Sequence, residues 1–229
     1  PSEIKKKIGQ KTVDILHNDI AYVFFNELNY NPRPIIQTYS AYADVLMKFN
    51  GQKFASQTAP AFVLFKLEQF REQNPFWADT DVNFELLNRY SVDQQFTVGK
   101  DTLLLLNKTQ AANHFQPFVL RFDHIKQNEF IPLPQKSEPY KMIAHLEYSL
   151  WGKLCRLLFQ PPYMYCTVYY ADGSQKDFRV VDKILKAGVL ANKRVLTQQE
   201  LLTFYTSKGQ KNINVTGLKF HSRFPWAFL

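Results

Sequence analysis

Cysteine is scarce in this chain. Its 229 residues include two, Cys155 and Cys166. Two thiols do not make a disulfide scaffold; they are buried thiols or, in an oxidising compartment, one bridge. There is no Cys-x-x-Cys pair and the five histidines are scattered, so no zinc site of ordinary spacing is expected. Long apolar runs are missing too. Runs such as Leu103 to Leu106 fall far below the roughly 20 residues that cross a bilayer. Neither Gly-x-Ser-x-Gly nor Gly-x-Gly-x-x-Gly occurs, which removes the local mechanics of a nucleophile elbow and of a dinucleotide loop. No cofactor is implied. The chain opens at Pro1 without an initiator methionine or signal peptide. It reads as an excised or processed piece whose compartment its first residues do not report.

Apolar bulk is plentiful. Hydrophobic residues make up 45% and aromatics 15%, with 20 Phe and 12 Tyr, enough to fill a core and to exclude general disorder. Charge is uneven. The net charge is +8. Residues 1–108 balance 12 basic against 12 acidic residues, while residues 109–229 hold 16 basic and 8 acidic. The split suggests two units with different surfaces. A basic second unit suits an anionic bilayer, an acidic glycan or nucleic acid, or serves solubility alone. No Lys/Arg cluster is dense and the RNA-binding aromatic motif is absent, so nucleic acid is not expected.

Residues 1–11 read as a basic tail. Thr12 to Leu16 reads as a short buried strand, followed by a helix that Asn18 or Asp19 caps, with Ile20, Val23, Phe24, Phe25 and Leu28 on its apolar face. Pro32 and Pro34 end that helix, and Ile35 to Thr38 reads as a second strand. A helix near Ala43 to Phe54 turns Val45, Leu46 and Phe49 inward. Ala61 to Phe65 is a third strand, residues 67–81 a long loop rich in Gln, Glu and aromatics, and Val82 to Arg89 a helix before a hairpin through Gly99. Alternating strands and helices predict a small Rossmann-like α/β unit over residues 1–108. From about Lys108 the period changes to two, around Pro117–Phe122, Tyr140–Tyr148, a Met164–Val181 hairpin through Asp172-Gly173, and residues 215–222. Helices interrupt near Ser149–Leu158 and Thr197–Thr206. This predicts a basic antiparallel β-sandwich-like domain over 109–229.

Several segments together resemble the extracytoplasmic C-terminal region of large, uncharacterised bacterial multispan membrane proteins, some of them glycosyltransferase-like. In the first half they are Val13-Asp-Ile-Leu16 with Asp19, Arg33-Pro-Ile-Ile-Gln-Thr-Tyr-Ser-Ala-Tyr42, Asn50 and Ala59-Pro-Ala-Phe-Val-Leu-Phe65. In the second they are Ser149 to Pro162, the Asp172-Gly173 hairpin and Pro225-Trp-Ala-Phe228. The chain departs from that pattern at His17-Asn18, where the family tends to have Pro-Trp, and at Phe70-Arg-Glu-Gln73, where it often has an Ile-Asp-x-Arg-like run. The resemblance implies an extracytoplasmic, membrane-tethered setting in the periplasm or cell envelope. Its implied partners are the protein's own transmembrane region or the membrane surface.

Residues that carry chemistry gather at two predicted strand ends. Asp14, His17 and Asp19 flank the first; Gln37, Tyr39, Ser40 and Tyr42 follow the second. On the carboxyl edge of a parallel sheet they would line one pocket able to bond a sugar or transfer protons. The alternative gives the aspartates capping and anchoring roles and makes the tyrosines core-edge aromatics. Arg33, fixed between two prolines, would grip a phosphate or carboxylate, or pair with a neighbouring acid. Trp151, Lys153 and Arg156 lie on a segment suited either to a membrane interface or to packing over the sandwich. Phe76-Trp77 is a sugar platform or a hydrophobic anchor. The expected function is non-catalytic binding of a ligand or partner, with a saccharide as the candidate. Its rivals are an independent carbohydrate-active enzyme using Asp14, Asp19 and His17, and a structural docking domain.

Overall fold

The computed structural model describes residues 1–41, 43–109, 116–122, 125–159 and 162–229. A four-stranded sheet holds β1 (Val13–Leu16), β2 (Phe62–Phe65), β4 (Asp101–Lys108) and β3 (Tyr90–Val98), in the order β1-β2-β4-β3. β1 and β2 are parallel, and β4 is antiparallel to both its neighbours. Both faces of β1 and β2 are buried, so their side chains are apolar almost without interruption. Alternation assigns each residue a layer. Val13, Ile15, Phe62, Leu64, Leu103 and Leu105 face one core, beneath α1 (Ser2–Ile8) and α2 (Ala21–Phe24). Leu16, Val63, Phe65, Leu104 and Leu106 face the other, beneath α3 (Asp44–Ala55), α4 (Thr80–Arg89) and α7 (Gln198–Thr206).

Two further sheets follow. One joins β10 (Val189–Leu190), β7 (Lys141–Ala144) and β5 (Val119–Phe122); the other joins β6 (Phe130–Pro132), β11 (Val215–Ser222), β8 (Met164–Tyr170) and β9 (Gln175–Val180). They share one core through Met142, Ala144, Cys166, Phe178, Val189 and Phe220. α5 (Leu150–Leu158), α6 (Asp182–Ala187) and 3-10 turns at Thr38–Ser40 and, near the C-terminus, Pro225–Ala227 complete the described elements. Cys155 and Cys166 are both free thiols.

The mixed α/β character and the sheet-rich second half agree with expectation, but several elements do not. The predicted tail is helix α1, because Ile4 and Ile8 stand one turn apart and both are buried beside three lysines. Ile35–Thr38 is not a strand. Pro34 has no N–H to give a ladder, and side chains take the polar groups of its neighbours. Asn50 Oδ1 accepts from the Ile35 N–H (2.9 Å), Asn50 Nδ2 donates to the Ile35 carbonyl, and Arg33 donates to that of Ile36. The chain turns instead into a 3-10 turn at Thr38–Ser40. α2 is four residues long, with Phe24 and Phe25 in solvent, and neither Asn18 nor Asp19 is its N-cap. α3 buries Met47, Asn50, Gly51 and Phe54, while Val45 and Phe49 are exposed. β5 and β7 pair in parallel, and α6 adds a helix the period-two reading did not contain, so the second half is not wholly antiparallel.

The expected boundary at residue 108 separates the sheets but not the cores. Leu201, Phe204 and Tyr205 of α7 pack into the first unit, and Ala41, Met47 and Trp77 pack into the second.

Candidate functional site

β1 and β2 end side by side, and a cavity of about 390 Å³ lies where their carboxyl ends open. His17 and Asn18 continue β1. Glu68, Gln69 and Phe70 follow β2. Thr38 comes from the 3-10 turn, Gln73, Asn74, Pro75 and Ala78 from the segment leading into α4, and Ile184 from α6. The carboxyl edge of a parallel pair is where open α/β sheets collect ligands, because the chain leaves the strands there without blocking the space above them. The segment after β2 is held from outside: the Arg179 N–H donates to the Glu72 carbonyl (2.8 Å), and the Tyr165 hydroxyl donates to Glu72 Oε2 (3.1 Å).

Beneath the cavity sits a buried charged node. The Arg33 side chain is wholly enclosed, with Asp14 and Asp79 beside it. Nη1 donates to Asp14 Oδ2 (3.3 Å) and to the Ile15 carbonyl (2.7 Å). Nη2 donates to the carbonyls of His17 (2.6 Å) and Ile36 and to Thr38 Oγ1 (3.0 Å). Nε faces Asp79 Oδ2 at 3.6 Å, an electrostatic contact in which neither atom completes a hydrogen bond. The rigid Pro32-Arg33-Pro34 corner sets the guanidinium's position, and its forked donors then tie β1 to the turn at Thr38. Asn50 of α3 closes the node by donating to Asp79 Oδ1 (3.0 Å).

Two carboxylates around one guanidinium, out of water, resist ionisation. Burial raises the Asp79 carboxyl to about 6, against the pull of Arg33. Burial raises Asp14 as well, again opposed by Arg33. His17 moves the other way: burial first, then the Arg33 charge, lower it to about 4. Its Nδ1 lies 3.0 Å from the Lys66 carbonyl and 3.3 Å from the Glu68 amide nitrogen. The ring is therefore neutral near pH 7 and presents Nε2 as one donor or one acceptor, according to the bond Nδ1 makes. An imidazole held so far below neutrality is a poor general base.

The candidate residues thus separate. His17 lines the cavity. Asp14 and Arg33 lie under it, committed to each other. Asp19 pairs with Lys66 (2.7 Å), which also binds Glu68 and Asp101. Gln37 is the residue before the 3-10 turn, where its Oε1 faces Ser40 Oγ, and it is not among the lining residues. Tyr39 contributes backbone to that turn; its side chain and all of Tyr42 lie outside the described residues. Trp77 is buried, its indole N–H donating to the Leu190 carbonyl (3.1 Å), and Phe76 is buried beside it, so that pair is an anchor. Sequence reasoning missed Asn18, Thr38, Glu68, Gln69, Gln73 and Asn74 as lining groups. The Gln/Glu-rich composition after the third predicted strand was the available signal. Among the described residues no cluster of His, Cys, Asp and Glu could hold a metal ion.

Comparison with family models, curated proteins and solved structures finds no significant match to this chain.

Proposed function

We propose that this chain is a non-catalytic saccharide-binding region, with the cavity at the ends of β1 and β2 as its site. The observation that carries the reading is the chemistry of the lining. Four carboxamide residues (Asn18, Gln69, Gln73, Asn74) and one carboxylate (Glu68) surround the space, together with Phe70, which is 42% exposed. Gln69 and Gln73 carry both a donor and an acceptor, as a ring of hydroxyl groups demands, while the Asn18 and Asn74 Oδ1 atoms already accept from the Thr38 and Phe76 N–H groups and leave their Nδ2 donors. The Phe70 side chain, with the Arg71 guanidinium 5.3 Å from its ring centroid, adds an aromatic contact suited to the C–H face of a sugar ring. No Lys or Arg stands among the described lining residues, which favours a neutral sugar over a phosphorylated one. The volume falls in the ordinary range of small-molecule sites.

Catalysis by Asp14, Asp19 and His17 gains less support. The two carboxylates face different partners, and neither lines the cavity. The parallel pair with its opening at the carboxyl ends is the local feature that a Rossmann-like unit would share. In the setting the sequence resemblance implies, the chain presents this cavity on the extracytoplasmic side of a bacterial envelope protein.

A screen of immobilised neutral glycans, followed by calorimetry on any hit, tests the reading. Phe70→Ala and Gln73→Ala should each weaken binding about tenfold or more, as expected when a stacked ring or a buried hydrogen bond is lost. A screen without a neutral-sugar hit, or a hit indifferent to both substitutions, would sink it.

A further inference from the structure

α5 turns the usual order of a surface helix inside out. Of its nine residues, Gly152 alone is buried. Leu150, Trp151, Leu157 and Leu158, with Phe159 just beyond, are 61–83% exposed, and Leu154 is 42% exposed. The end of the chain lies against it. The Ser149 N–H donates to the Ala227 carbonyl (3.0 Å) and the Ser149 hydroxyl to that of Trp226 (2.7 Å). A Cβ on Gly152 would fall 2.0 Å from the Ala227 oxygen, so this approach requires glycine. Phe224 (48% exposed) meets Trp226 (53%) edge to face, and Leu229 is 71% exposed. Backbone contact therefore holds apolar side chains of two elements in one surface region, more than scattered exposure accounts for.

The charges around these residues indicate what covers them. Lys153 and Arg156 stand on the helix and Arg223 just before the final turn, all exposed. Residues 149–159 contain no acid; the nearest in sequence is the exposed Glu147, and Asp182 lies close to Tyr148. The whole basic excess of the chain belongs to residues 109–229. A second copy docking through the same surface by a two-fold axis would bring these like charges together. An anionic lipid surface complements them. Nine residues of helix extend only about 14 Å, too short to cross a bilayer but suited to lying along it. We propose that α5 and the C-terminal turn seat this chain on the interface of an anionic bilayer. Trp151 and Trp226 sit at headgroup depth, and Lys153, Arg156 and Arg223 lie on lipid phosphates. The inference does not depend on the saccharide cavity.

Vesicle sedimentation of the full chain tests this. The protein should pellet with phosphatidylcholine vesicles containing phosphatidylglycerol, far less with phosphatidylcholine alone, and be released by raised salt. Tryptophan emission should shift to the blue on binding, from Trp151 and Trp226 against the constant background of buried Trp77. Trp151→Ser with Leu157→Ser should lower vesicle affinity at least about tenfold, and Lys153→Glu with Arg156→Glu should erase the preference for anionic lipid. Because these side chains are exposed, circular dichroism should show both double variants folded. Failure to bind anionic vesicles, binding unchanged by either double variant, or a lipid-free dimer that Trp151→Ser with Leu157→Ser dissolves would each overturn the proposal.

Discussion

The corner at Pro32–Pro34 and the helix α5 break the ordinary partition of side chains in opposite directions. The first encloses a guanidinium and two carboxylates without water contact. The second leaves two leucines more than 80% exposed. Burying charge is expensive unless every donor finds an acceptor, and Arg33 comes close to that condition through β1, the turn and two acids. Exposing apolar surface is inexpensive for a monomer but leaves it ready to associate. The node therefore serves the fold, by fixing the floor of a cavity, whereas the helix adds little to the fold and keeps its apolar surface for contact.

The largest effect belongs to Arg33. Arg33→Met should lower unfolding free energy by about 3–5 kcal/mol, because it strands two buried carboxyl groups and several backbone carbonyls. Arg33→Lys should recover little, since an ammonium has three donors and cannot reproduce the fork. Combining Arg33→Met with Asp14→Asn and Asp79→Asn should restore part of the loss. Urea unfolding reads all three, and a loss below about 1 kcal/mol for Arg33→Met would mean the node is ornamental.

A smaller effect is written in pH. His17 has a folded pKa of about 4 against an ordinary 6.5, so between those values the unfolded chain binds more protons and stability rises with pH. Asp79 has a folded pKa of about 6 against 3.8, so there the folded chain binds more protons and stability falls as pH rises. Burial raises Asp14 in the same sense as Asp79. The slopes oppose one another, and the intact protein should show a shallow profile between pH 4 and 6. His17→Gln should uncover the falling limb, and Asp79→Asn should uncover a rising one. The falling limb should amount to about 2–3 kcal/mol across the window at roughly 1.4 kcal/mol per unit, and the rising limb to less, because the raised Asp14 remains to oppose it. Unfolding free energies measured at half-unit steps of pH decide it; two flat variants would show that these groups do not carry the shifted protons.

Periodicity made much of this fold legible, in the leucine-rich β4, the hairpins, α4 and α7, where one local rule governs each segment. It failed where side chains replaced a ladder. Ile35 and Ile36 look like strand because they are β-branched and follow a proline corner, yet Asn50 and Arg33 take their polar groups across 15 and 3 residues of sequence. Satisfaction by side chains rather than by a neighbouring strand leaves no local period to read. The site was half visible for the same reason. His17 follows from the strand end, but the Gln and Asn side chains opposite it come from an irregular segment that Arg179 and Tyr165 hold in place. The Lys run likewise hid α1, whose two buried isoleucines are its core-facing signal.

The smallest effect is the most diagnostic for α5. Leu157 is 81% exposed, so its removal from water is not part of folding. Leu157→Ser should change unfolding free energy by no more than about 0.5 kcal/mol, the usual range for a surface position. A leucine of the same chemistry at Leu104, wholly buried in β4, should lose several times that on truncation to alanine, about 2–5 kcal/mol. The contrast tests whether the fold needs the apolar face of α5. If Leu157→Ser destabilised the isolated chain as a core substitution does, that face would be covered in solution by another part of the molecule or a second copy, and the distinction between a fold-serving node and a contact-serving helix would collapse. If the loss is small and vesicle binding falls with the same serine, leucine at this position has no role in stability and a measurable one in attachment.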